Sequence, residues 1–166
     1  MVAWPAPPTP VRSSARRPGH DLSVTQKRRS YTSIVIEREI AASRQVVWDA
    51  FLAFIEKATG GYDVEGDPPP HGLGATLGLT LDDETLSEEV ISFEPPWRRV
   101  YELTGAPVKM YQGTTVITDQ GDSCLLAWSL VVDPLPGGAS DSFLETAEAF
   151  LTGFVDRLQA MVESGD

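Results

Sequence analysis

The sequence has little of what a disulfide-bonded, metal-binding or membrane-spanning protein needs. Its 166 residues include one cysteine, Cys124, which excludes an intramolecular disulfide and any metal site built from several cysteines. No run of about 18 apolar residues is present, so we expect no membrane span. The N-terminal arginines are not followed by an apolar segment, so we predict no secretory signal and a cytoplasmic location. Beyond residue 30 the only histidine is His71, so we expect no metal site and no cofactor.

Charge is distributed unevenly along the chain. Residues 1–30 contain six basic residues and one acidic residue, a net charge of +5, whereas the remainder has seven basic and 23 acidic residues, a net charge of −16. So acidic a domain is a poor phosphate binder, which argues against a nucleic-acid partner for the folded domain. Residues 1–30 are rich in Pro, Arg and Ser, and this composition predicts a disordered basic tail before a domain at 31–163. A solvated leader, an arm that contacts an acidic surface and a nucleic-acid arm are three open interpretations of that tail.

One long helix is predicted near the C-terminus, at residues 142–162. Ser142 and Glu145 match a capping box, and residues 134–138 before them are not expected to be helical. A helix of roughly 20 residues rises about 30 Å and needs a large apolar surface to lie against. Its apolar positions fall on one stripe: Phe143, Ala147, Phe150, Leu151, Phe154, Leu158 and Met161.

The rest of the chain predicts one further helix and a run of strands. A strand is expected at 31–40, followed by a helix that Ser43 caps and that ends at Gly60 and Gly61, with a kink or a break left open. A Gly- and Pro-dense loop is expected at 66–74. Short turn-forming joints separate the later strands, which should therefore form hairpins. These strands are predicted at 62–65, 75–81, 84–93, 98–104, 111–118 and 125–132.

The predicted fold class is α+β: a curved antiparallel sheet of six to seven strands wrapped around the long C-terminal helix. Alternation along the strands assigns one face of this sheet to the helix. A dry core would favour Leu, Ile and Val, and buried hydroxyls or carboxylates without partners cost about 1–3 kcal/mol each. The polar and aromatic residues on this face therefore indicate a cavity, unless their polar ends reach the rim. The inward set is Glu89, Ile91, Phe93, Arg99, Tyr101, Leu103, Tyr111, Gly113, Thr115, Ile117, Leu126, Trp128, Leu130 and Val132.

Several segments resemble the START-like SRPBCC superfamily, and in particular its polyketide cyclase/dehydrase-type branch. They are ASRQVVW (42–48), GLGA (72–75), EEVISFEPPWRRVYEL (88–103), YQGTTV (111–116) and Trp128. The resemblance implies a helix-grip fold with a deep pocket between the sheet and the long helix. It also implies a lipid, a polyketide or another hydrophobic molecule as ligand, and no universal catalytic motif.

Candidate site residues follow from the inward face and the resemblance together. Candidate catalytic residues are Glu89, Arg99 and Tyr101, where Glu89 acts as a general acid or base or pairs with Arg99 as a structural ion pair. His71 is expected to be solvated or to make a gating contact at the pocket mouth. The predicted ligand-binding residues are Tyr101, Leu103, Tyr111, Thr115, Trp128, Leu130, Phe150, Phe154, Glu89 and His71.

Three functions stay open on the sequence alone. The first is binding, transport or sequestration of a hydrophobic small molecule. The second is a polyketide cyclase, aromatase or dehydratase that uses Glu, Arg and Tyr residues of the cavity. The third is a module that binds a partner through the basic tail or a sheet edge. We expect a monomer or a homodimer.

Overall fold

The computed structural model of the protein describes residues 29–81 and 83–165. The predicted fold class is confirmed, with six antiparallel strands and a long C-terminal helix in the described part. The predicted tail lies almost entirely in residues 1–28, outside the described residues, and stays a prediction. The elements are β1 (Thr32–Ile40), α1 (Arg44–Thr59), β2 (Thr76–Leu81), β3 (Glu84–Glu94), β4 (Arg98–Thr104), β5 (Val108–Asp119), β6 (Cys124–Pro134) and α2 (Asp141–Ser164).

The strands form one sheet in the order β1-β6-β5-β4-β3-β2. Strands β2 to β6 follow one another as hairpins, as predicted, and β1 pairs with β6 at the far edge. The strand predicted at 62–65 is not part of this sheet, because only an isolated bridge between Val64 and Thr76 forms there. The loop that follows is tightly folded: a Cβ on Gly72 would lie 2.1 Å from the carbonyl carbon of Asp67. Only glycine fits at that crossing of two backbone segments.

Helix α1 is continuous over 16 residues, so neither the kink nor the break is present. It ends where Gly60 adopts a φ of 83° and donates its backbone N–H to the carbonyl of Glu56. A left-handed residue of this kind is a common helix stop that favours glycine. The helix buries Val47, Trp48, Phe51, Leu52 and Ile55.

Helix α2 begins at Asp141, so the predicted capping box at Ser142 and Glu145 is wrong. Ser140 precedes the helix instead, and its hydroxyl donates to the carbonyl of Pro107 (2.6 Å) and accepts from the N–H of Leu135 (2.8 Å). These bonds fix the start of α2 against the β4–β5 turn. A short 3₁₀ turn at Pro136–Gly138 leads into it, where no helical structure was expected. Neither helix of the described part is long and apolar enough to cross a membrane.

Candidate functional site

A cavity of about 500 Å³ lies between the inner face of the sheet, the C-terminal end of α1 and α2. This volume lies within the range of pockets that hold a drug-sized ligand. Tyr111, Trp128 and Phe150 line the space rather than filling it. The wall comprises Ile55, Ala58, Thr59, Leu77, Gly78, Leu79, Thr80, Leu81, Thr85, Leu86, Glu88, Tyr101, Leu103, Tyr111, Trp128, Phe143, Ala147, Phe150, Leu151 and Phe154.

Six of the ten predicted ligand-binding residues lie on this wall: Tyr101, Leu103, Tyr111, Trp128, Phe150 and Phe154. Thr115 and Leu130 face inward as expected but are completely buried and do not line the cavity. A position on the inner face of the sheet does not by itself put a side chain on the cavity wall, because the packed core and the two helices cover part of that face. Phe150 is 38% exposed although it lines the cavity, which places it where the cavity meets solvent.

The inward-facing carboxylate belongs to Glu88, and the assignment of Glu89 to the inner face is wrong. Leu86, Glu88 and Val90 are buried, whereas Glu89 is exposed. The cause is a β-bulge at Ile91, where Val90 pairs with Tyr101 and Ser92 pairs with the adjacent residue, Val100. One extra residue in a strand reverses the alternation of faces beyond it. Counting back from Phe93 therefore selects the wrong glutamate.

Glu88 forms a buried ion pair with Arg99. The Nη2 of Arg99 donates to Oε1 of Glu88, and the Arg99 side chain is completely buried. Arg99, a predicted candidate catalytic residue, does not line the cavity. Its guanidinium carbon is 5.2 Å from the centroid of the Tyr101 ring, a cation–π geometry. Within the described residues, Nε and Nη1 of Arg99 have no hydrogen-bond partner, nor does the hydroxyl of Thr115, which is opposite Arg99 on β5.

The two cavity tyrosines form a fixed polar group beside Glu88. Nε1 of Trp128 donates to the hydroxyl of Tyr101 at 3.1 Å. Burial raises the pKa of Tyr101 well above its ordinary value, and it also raises the pKa of Tyr111. Both hydroxyls therefore stay protonated at neutral pH and can donate hydrogen bonds. Gly113 allows this arrangement, because its own Cβ would lie 2.1 Å from Cζ of Tyr101.

His71 does not line the cavity, contrary to the predicted ligand contact. Its Nδ1 is 2.7 Å from the Tyr62 hydroxyl, and its Nε2 is 4.0 Å from Oε2 of Glu56. Burial raises the pKa of Tyr62 to about 12 and lowers the pKa of His71, which favours a protonated tyrosine and a neutral imidazole in this contact. The contact joins the 66–74 loop to the end of α1. In residues 29–81 and 83–165, no three His, Cys, Asp or Glu side chains are arranged to hold a metal ion.

The sequence of residues 31–163 matches the family described as "Polyketide cyclase / dehydrase and lipid transport". The chain belongs to this family. The match confirms the resemblance to the polyketide cyclase/dehydrase-type branch of the START-like SRPBCC superfamily. A comparison of the chain with curated proteins found no sequence match.

Solved structures with the same fold are distant in sequence. Norcoclaurine synthase from Thalictrum flavum, in complex with dopamine and hydroxybenzaldehyde, is 20% identical with a TM-score of 0.59, over 82% of this chain and 89% of the synthase. Ara h 8.0201 is 14% identical with a TM-score of 0.63, over 81% of this chain and 99% of its own. DynU16, from the dynemicin biosynthetic locus, is 19% identical with a TM-score of 0.61, and the alignment covers 81% of this chain and 48% of DynU16. These likenesses confirm the helix-grip fold.

One side of the cavity wall was not predicted from the sequence. The wall includes residues 77–81 of β2, and Ile55, Ala58 and Thr59 at the end of α1. The signal for β2 was the alternation of Leu77, Leu79 and Leu81, which puts three leucines on one face of a strand. The end of α1 carried no signal that separates a cavity wall from an ordinary core contact.

Proposed function

We propose that the protein binds a hydrophobic small molecule, such as a lipid or a polyketide, in the cavity between the sheet and α2. The observation that carries this proposal is the cavity itself: about 500 Å³ remain among the aromatic and aliphatic side chains of the inner face. Protein interiors are normally close-packed, so a space of this size has to be maintained by the surrounding structure. The family description, which includes lipid transport, supports the proposal.

A cavity-filling substitution tests this proposal. Ala147 is buried on α2 and lines the cavity, so Ala147→Trp would put an indole into the space. Ala149 is exposed on the same helix, so Ala149→Trp is the matched control. We expect binding of apolar probes from lipid and polyketide panels, measured by native mass spectrometry, to fall at least tenfold in Ala147→Trp and to be unchanged in the control. Absence of any exchangeable apolar ligand on the wild-type protein would refute the proposal.

Glu88 favours a second candidate function, acid–base catalysis on a polyketide-type substrate. Glu88 lines the cavity together with Tyr101 and Tyr111. A carboxylate in this position would accept a proton from a carbon between two carbonyls, and a tyrosine hydroxyl would donate a hydrogen bond to the oxygen on which charge develops. The cyclase/dehydrase part of the family description supports this chemistry.

Turnover distinguishes catalysis from binding alone. If the protein is a cyclase or dehydratase, Glu88→Gln and Tyr101→Phe should each lower kcat at least about 100-fold, the size of a lost acid–base contribution. Glu89→Gln, on the outer face of the same strand, should leave kcat unchanged. Equal turnover in Glu88→Gln and in the wild-type protein would exclude this role for Glu88.

A further inference from the structure

The charge on the cavity wall has one sign. Of the described residues that line the cavity, Glu88 alone has a charged side chain, and the others are aliphatic, aromatic, glycine or hydroxyl-bearing. A ligand carboxylate would therefore meet negative charge at short range. The net charge of −16 on residues 31–166 opposes its approach from further away.

Arg99 does not reverse this preference. Its side chain is completely buried, and its Nη2 donates to Oε1 of Glu88. Arg99 does not line the cavity, whereas Glu88 does. Glu88 therefore gives the cavity wall a carboxylate acceptor, which binds N–H and O–H donors more strongly than a neutral acceptor does.

The surrounding wall determines the rest of the ligand. Trp128, Phe143, Phe150 and Phe154 give the cavity aromatic surfaces on the sheet side and on the α2 side. Flat ring systems pack well against such surfaces in offset or edge-on arrangements. Tyr101 and Tyr111 add two hydroxyl groups to this wall, and the Tyr101 hydroxyl accepts from Nε1 of Trp128.

We infer that the cavity takes a neutral or cationic ring compound that carries an N–H or O–H donor directed at Glu88, and that it rejects carboxylates, fatty acids included. This inference rests on the proposed binding function and narrows its ligand class. The cavity of about 500 Å³ lies within the range of pockets that hold a drug-sized ring compound.

Four naphthalene compounds test the inference on the full-length wild-type protein: 2-naphthol, 2-naphthylmethylamine, 2-methylnaphthalene and 2-naphthoate. Equilibrium dialysis at neutral pH gives each dissociation constant. We expect the alcohol and the amine to bind at least tenfold more tightly than 2-methylnaphthalene, since a charge-assisted hydrogen bond is gained. We expect 2-naphthoate to bind more weakly than 2-methylnaphthalene. Binding of 2-naphthoate as tight as that of 2-naphthol overturns this inference but not the proposed function, whereas no binding of any of the four overturns both.

Substitutions test whether the Glu88 carboxylate causes the preference for the amine over 2-naphthoate. Glu88→Gln should reduce the ratio of affinities for the amine and the carboxylate at least tenfold, and Glu89→Gln, outside the cavity on the same strand, should preserve that ratio. Because Glu88→Gln leaves Arg99 without its ionic partner, the double variant Glu88→Gln/Arg99→Met is measured as well. It removes both charges and should bind 2-naphthoate and 2-methylnaphthalene alike. A double variant that keeps the wild-type ratio overturns the inference.

Discussion

The buried pair between Glu88 and Arg99 should respond very differently to the loss of one partner and to the loss of both. Glu88→Leu leaves a completely buried guanidinium in which Nε and Nη1 already have no partner among the described residues and Nη2 loses its own. Removal of one member of a buried ion pair costs about 3–5 kcal/mol. The Glu88 side chain keeps 10% of its surface exposed. We therefore place the loss of unfolding free energy at the lower end, about 3 kcal/mol.

Urea unfolding followed by circular dichroism measures this loss. With a urea m-value of about 2 kcal/mol/M, the midpoint should fall by about 1.5 M. The double variant Glu88→Leu/Arg99→Met removes both charges and should recover most of the stability, because a buried ion pair replaced by apolar residues is often neutral or stabilising. Glu89→Leu is the matched control and should change the unfolding free energy by less than about 0.5 kcal/mol. A loss below about 1 kcal/mol in Glu88→Leu would show that Arg99 does not depend on this carboxylate.

Three further predictions concern stability elsewhere in the fold. Gly113→Ala should lower the unfolding free energy by about 1–3 kcal/mol and weaken ligand binding, because the new Cβ would overlap the Tyr101 ring at 2.1 Å. An unchanged urea midpoint would contradict the packing of Tyr101 over Gly113. Gly153→Ala, inside α2, should stabilise the protein by about 1 kcal/mol, since the new Cβ meets only Nη1 of the flexible Arg157 side chain at 3.3 Å, and differential scanning calorimetry should show a higher Tm. Burial lowers the pKa of His71 below its ordinary value of 6.5, so the folded protein binds fewer protons there than the unfolded chain, and the unfolding free energy should decline as the pH falls below about 6.5. His71→Gln should lack that component between pH 7 and pH 5.5, and identical pH profiles for the two proteins would exclude it.

The sequence was sufficient for the architecture because periodicity and turn residues determine it. Alternation and turn residues identified the six strands β1 to β6 of the described sheet, and the long apolar stripe identified α2. The same patterns could not place the first residue of α2. Its start depends on two hydrogen bonds of Ser140 to residues of other segments, Leu135 and Pro107, and short-range signals do not contain such contacts.

The site was harder to predict because it depends on which inward positions border empty space. Tyr101 and Thr115 were assigned to the same inner face, but only Tyr101 reaches the cavity. The choice between Glu88 and Glu89 depended on a bulge that has no sequence signature in this strand. From the first half of β3 the alternation selects Glu88, and from its end it selects Glu89. Periodicity over the whole strand cannot resolve a phase change inside it.

The position of β2 at the edge of the sheet has a consequence for how a ligand enters the cavity. Residues 77–81 line the cavity, yet in the described structure β2 is hydrogen-bonded along its length to β3 alone, apart from the bridge of Thr76 to Val64. A wall segment held from one side separates with fewer broken bonds than one held from both. We therefore expect a ligand to enter the cavity by outward movement of β2. The backbone amides of β2 should exchange with deuterium faster than those of β5. They should become protected from exchange when a ligand fills the cavity. Equal exchange rates for the amides of β2 and β5 would contradict ligand entry through movement of β2.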